Sequence, residues 1–322
     1  MGMGMSKTWG GGSVRFAMAA ALCIGLGYSQ QPPATLSRIT FLEQGQQLTR
    51  EGSLAQALEL YQVVLKSQPS SLSAHTEAGT VLDLMGKGGA ARAHFQKAID
   101  LASGPKEKAA AERAMAMSWA FSGNCEQTVK YEQRALQFYI STKDFYQQGE
   151  IADEAARVCI DNGELDTAYQ WYLTGRGLGL KQPDIPAVRK DFWDFRWENA
   201  QAQVAARKGN QTEAGKHVAA AKAILAKDAG LAKTQGSTLP YLLGYLAFYR
   251  GDHEGALTEL RKADQKDASI QCLMGEAYEG MGKREKAVEQ YTKAAAVTAH
   301  NAPEAFARPF ATKKLAELVK KD

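Results

Sequence analysis

The chain is poor in the residues that most often carry chemistry. Its 322 residues include four cysteines, nine prolines and five histidines. No two of His75, His94, His217, His253 and His300 lie three or four positions apart, so no helix face offers a histidine pair to a metal ion. His253, after Gly251-Asp252, reads as a solvated turn residue. There is no Gly-x-Ser-x-Gly elbow, no His-Glu-x-x-His and no phosphate loop, which removes the nucleophile, zinc and nucleotide chemistry that those motifs support. The acidic pairs Asp153-Glu154 and Asp191-Asp194 sit among Arg and Lys and read as exposed surface, because paired carboxylates are seldom buried. The chain is therefore expected to be non-catalytic, with no metal and no cofactor.

Long apolar runs are also missing after residue 29. Before it, Lys7 and Arg15 precede an apolar stretch from Phe16 to Leu26, followed by the small residue Ser29. A run of that length is short for a bilayer span and matches a secretory signal peptide. Residues 1–29 are assigned to it, with cleavage near Ser29 and a mature chain that is periplasmic or secreted in a bacterium. Leu22 before Cys23 is too large for lipoprotein processing. The remaining cysteines, Cys125, Cys159 and Cys272, are odd in number and lack metal-ligand spacing. Buried free thiols are the expectation; Cys125 and Cys159 are the pair that an oxidising compartment would join.

Excess charge is lacking too. The net charge is +4, and loss of Lys7 and Arg15 with the leader leaves about +2, which is no footprint for nucleic acid. No transmembrane segment is expected in the mature chain.

What is present is a period. Gly45, Leu48, Gly52, Leu54, Ala57, Tyr61, Val64 and Pro69 are echoed 34 residues on by Gly79, Leu82, Gly86, Ala91, Phe95 and Ala98. Each set reads as two short amphipathic helices meeting at a glycine, which a left-handed cap accommodates. One hairpin cannot bury its apolar face alone, but stacked neighbours can. Further turn glycines stand at 123, 163, 209, 251 and 282, and Gly275, Tyr278, Ala287, Tyr291 and Ala294 make a regular late unit. Gly175-Arg176-Gly177-Leu178-Gly179 breaks the pattern and reads as a loose helix end.

These residues resemble the tetratricopeptide repeat (TPR) family. The resemblance implies an all-α superhelical solenoid of about seven helical hairpins. It assigns 30–37 to a linker, 38–302 to the repeat array and 303–322 to a C-terminal capping helix with a charged outer face. It also implies a concave face, lined by first helices, that binds proteins or peptides. The carboxylate clamp of some members is mostly absent, since the matching surfaces offer Leu42, Gln46, Thr76 and Thr80, and Arg113 alone has the right charge.

Two stripes at helical spacing suggest where a partner would sit. Tyr241, Tyr245, Phe248 and Tyr249 share one helix face. Arg196, Asn199, Gln203 and Arg207 form a polar stripe, which Arg157 extends. Together they predict a groove with an aromatic wall and a basic floor, suited to a peptide with acidic residues; the same stripes would also serve as packing between irregular repeats. The expected function is a non-catalytic scaffold or adaptor in the cell envelope, its protein or peptide partner unidentified. A self-assembling homo-oligomer and a non-catalytic subunit of an enzyme complex are the alternatives.

Overall fold

The computed structural model describes residues 34–320, so the expected leader and the first half of the expected linker lie outside the described residues, while residues 34–37, expected as linker, belong to the first helix. Within them the chain is all helix, with no strand. Seven antiparallel hairpins follow one another: α1 (Ala34–Arg50) with α2 (Leu54–Ser67), α3 (Leu72–Leu84) with α4 (Gly88–Leu101), α5 (Pro105–Phe121) with α6 (Cys125–Ser141), and α7 (Phe145–Asp161) with α8 (Leu165–Gly179). Then come α9 (Ala187–Arg207) with α10 (Gln211–Lys227), a short α11 (Ala229–Gln235), α12 (Thr238–Tyr249) with α13 (His253–Leu260), α14 (Ala268–Gly280) with α15 (Arg284–Ala296), and a final α16 (Ala302–Val319).

Local chemistry sets the turns. Gly52, Gly86, Gly123, Gly163, Gly209, Gly251 and Gly282 all have φ between 66° and 86°, where a side chain is strained. At the first of them, Gly52 N–H bonds Thr49 O at 3.0 Å and Ser53 N–H bonds Leu48 O at 2.8 Å, satisfying the last carbonyls of α1. Asn124, Asn210 and Asp252 then cap the next helices, each accepting from a backbone N–H three residues on.

The hairpins are held together by rings set against glycines. A β-carbon at Gly45, Gly79 or Gly275 would stand 2.4, 2.8 or 2.5 Å from the rings of Tyr61, Phe95 and Tyr291. Those three rings are fully buried, as are Ala57, Ala91 and Ala287 beside them. The same device recurs at Gly179, and here the expectation of a loose helix end is corrected. α8 continues regularly to Gly179, where the glycine receives Trp193 of α9, while Gly175 packs closely on Asp153 of α7 and Gly177 faces open space. β-Carbons at Gly149 of α7 and Gly179 would lie 2.3 and 2.2 Å from the indole, which is 1 % exposed.

Two further features exceed the sequence reading. Cys125 and Cys159 form a disulfide, in place of the free thiols expected, because the start of α6 meets the end of α7 with Cα atoms 4.9 Å apart. Cys272 is a buried free thiol. α16 packs on α14 and α15, and it also reaches α5 and α7, so the array closes on itself. Arg308 Nε donates to Leu84 O at 2.8 Å, His300 Nε2 lies 2.9 Å from Asp83 Oδ2, and the imidazole stacks on Phe121 at 5.1 Å.

Candidate functional site

Closure of the array leaves a polar cavity of about 430 Å³ inside it. α7 and α9 each send in polar residues three or four apart, from one helix face. α7 supplies Asp153, Glu154 and Arg157, and α9 supplies Arg196, Asn199 and Gln203. Tyr172 of α8 and Thr238 and Tyr241 of α12 form another side, and Gln235 and Ser237 flank α12. Asp264 and Asp267 come from the α13–α14 connection, and Ala302 and Pro303 of α16 complete the lining with Phe195, Ala200 and Ile270.

The structure thus brings Arg157, Arg196, Asn199, Gln203 and Tyr241 around one cavity. Arg207, Tyr245 and Tyr249 line a smaller adjoining recess, shared with Arg157 and Tyr241 and bordered by Asp161, Cys272 and Glu276. Phe248 lines neither; its ring meets Tyr249 edge-on at 5.2 Å and lies 5.6 Å from His253.

The geometry differs from an open groove with a basic floor. Tyr241 and Tyr245 are only 8 % and 4 % exposed, because α14 and α16 lie across the face that the stripe presents. Arg196, Arg157 and Arg113 are already neutralised by carboxylates of α7, whereas Arg207 is held by a tyrosine hydroxyl. Arg196 Nε pairs with Asp153 Oδ2 at 2.8 Å and its Nη1 with Glu150. Arg157 Nε donates to Asp161 Oδ2 at 2.9 Å, and Arg113 Nε to Glu154 Oε2 at 3.2 Å. Arg207 Nη1 donates to the Tyr249 hydroxyl at 2.9 Å.

Asp153 and Glu154 are therefore not the exposed surface pair that composition suggests. Asp153 is buried, and burial pushes its carboxyl up to about 7, with Glu150 and Glu154 adding to the rise against the pull of Arg196. Burial likewise raises Glu276 to about 7, opposed by Lys314. Behind the α7 wall Glu132 is fully enclosed, and burial followed by the Glu154 charge drives it well above the usual carboxylate range. Desolvation raises Tyr172 and Tyr241 as well, so both hydroxyls stay protonated. Tyr172, Gln235, Asp264 and Asp267 went unmarked in the sequence, since only the closure of the array brings them near α7 and α9.

Among the described residues no group of three or more His, Cys, Asp and Glu is placed to hold a metal ion. No helix among them is long and apolar enough to cross a membrane.

Residues 268–301, which span α14, α15 and the segment before α16, match the tetratricopeptide repeat family model. The chain is a solenoid of tetratricopeptide-repeat type. The fold is similar to a crystal structure of a tetratricopeptide repeat protein from Parabacteroides merdae, at 15 % identity and a TM-score of 0.52, covering 88 % of this chain and 98 % of that one. It is also similar to the apo form of RapI, at 12 % identity and a TM-score of 0.54, covering 89 % of this chain and all of the other. No curated protein matches the sequence.

Proposed function

We propose that this TPR protein is a non-catalytic scaffold or adaptor of the bacterial cell envelope, and that it receives a peptide segment of its partner in the interior cavity. The observation that carries this reading is the cavity itself. It draws polar side chains from hairpins far apart in sequence, and its volume of about 430 Å³ falls in the range of small-ligand sites, roughly 300–1,000 Å³. TPR solenoids are generally protein-interaction scaffolds, which supports the same class of function. The Cys125–Cys159 disulfide supports an oxidising compartment, in keeping with the export signal read at residues 1–29.

The test is site-specific photo-crosslinking in the native envelope. A photoreactive residue at Gln235, on the cavity lining, should attach a discrete partner chain; one at Lys97, an exposed residue outside it, should not. Equal capture from both positions, or none from Gln235, would refute binding through the cavity. The mass of the native chain tests export: cleavage near Ser29 is expected, and a full-length mass would contradict it.

A further inference from the structure

The charge of the cavity points to the chemistry of its guest. Four carboxylates line it, from Asp153, Glu154, Asp264 and Asp267, against two guanidiniums, from Arg157 and Arg196. Both guanidiniums are engaged, Arg196 by Asp153 and Glu150 and Arg157 by Asp161. Asp264 and Asp267 have no cation within ion-pair distance among the described residues; Asp267 caps α14 through Ser269 N–H at 2.8 Å, and Asp264 accepts from Lys266 N–H at 3.0 Å. An anionic guest would meet like charge and no free cation. A cationic guest would meet two unpaired carboxylates and the ring of Tyr172, whose face favours a positive charge, the ring of Tyr241 already lying under Arg157.

A second, independent feature asks for an acceptor. Asn199 is 7 % exposed and lines the cavity. Its Oδ1 accepts from Gln203 Nε2, and its Nδ2 has no partner. A buried donor left unpaired is costly, by about 1–3 kcal/mol in the general case, and a guest carbonyl oxygen would satisfy it.

We propose, building on the peptide-binding reading above, that the cavity takes a basic peptide segment, with a Lys or Arg side chain directed to Asp264 and Asp267 and a backbone carbonyl accepting from Asn199 Nδ2. The cation and the nearby carbonyl together select a peptide over a simple alkyl polyamine, which carries no acceptor of that kind. Entry is from the side of Ser237 and Asp264, both of which are exposed.

The experiment uses the full chain purified from its host. It is exposed to two degenerate peptide pools, capped at both ends, that differ only in a fixed central pair, lysine-lysine or glutamate-glutamate. Spermidine supplies a cation without a carbonyl. The lysine pool should be retained about tenfold over the glutamate pool. Asp264→Asn with Asp267→Asn, which preserves the α14 cap, should abolish that preference. Asn199→Ala should weaken lysine-pool binding about tenfold without admitting the glutamate pool. Asp166→Asn, an exposed position outside the cavity, should change nothing. Thermal melting of each variant separates lost binding from lost folding. Equal or preferential retention of the glutamate pool would overturn the basic-peptide assignment and leave the peptide-binding reading standing. Retention of neither pool would overturn both. Spermidine bound as tightly as the lysine pool would overturn the assignment to a peptide.

Discussion

Gly179 and Gly177 lie two residues apart on α8, and replacing each by alanine should move stability in different directions. Around Gly177 nothing stands within 4 Å of a β-carbon, and the position is exposed. Gly177→Ala should therefore stabilise by roughly 0.5–1 kcal/mol, the general gain from removing a glycine from a helix. At Gly179 the added methyl would stand 2.2 Å from Trp193 Cε2, and Gly149 of α7 confines the same indole from elsewhere, 2.3 Å from Cη2. The indole is planar, rigid and 1 % exposed, so it cannot swing aside; α8 and α9 must move apart instead. Such overpacking costs about 1–3 kcal/mol. The helix-propensity gain applies to both variants, so the difference between them isolates the overpacking and should be about 1–3 kcal/mol. Urea unfolding followed by far-ultraviolet circular dichroism measures it, with the near-ultraviolet signal reporting the aromatic environment. Two variants of equal stability would refute the socket and restore the reading of Gly175–Gly179 as a loose helix end.

Three further outcomes are expected. The Cys125–Cys159 bridge closes a span of 34 residues, so reduction, or a double change to Ser, should destabilise by about 3–4 kcal/mol; an unchanged urea midpoint in reductant would count against it. Burial holds the Asp153 and Glu276 carboxyls at about 7 in the folded state, above their unfolded values of 3.8 and 4.5. The native chain therefore keeps protons that the unfolded chain has released, and stability should fall as pH rises from about 4 to about 7. Melting temperature against pH should slope less in Asp153→Asn and Glu276→Gln, and a wild-type slope in both would contradict the assignment. His300→Ala should leave an oxygen of buried Asp83 unpaired and remove the stack on Phe121, costing about 1–3 kcal/mol. It should also raise proteolysis within 297–319, and undiminished protection would show that this contact does not hold the array closed.

The parts of this protein that were legible in its sequence are the parts decided by neighbours along the chain. Gly52 and Gly251 announce their turns because a positive φ is a local demand that glycine meets most easily. Ala57, Ala91 and Ala287 announce helix crossings because each hairpin repeats the same packing. The spacing of Arg196, Asn199 and Gln203, and of Tyr241 and Tyr245, placed each set on one helix face. The turn between α6 and α7 shows the limit, for Lys143 takes the left-handed conformation there and no glycine marks it.

The sequence by itself thus determined the hairpins, their number and the faces that their side chains share, since helix period and turn geometry act over a few residues. Tertiary structure alone decided the rest. It joined Cys125 to Cys159, turned Gly149 and Gly179 into a socket for Trp193, and buried Asp153 against Arg196. It also carried α16 back to α5 and α7, which made the interior a cavity and its arginine floor a set of ion pairs. The physical reason is accumulation: each repeat adds a small rotation to the one before it. What the first repeats face is settled by the sum of all the rotations, which no local pattern of residues records.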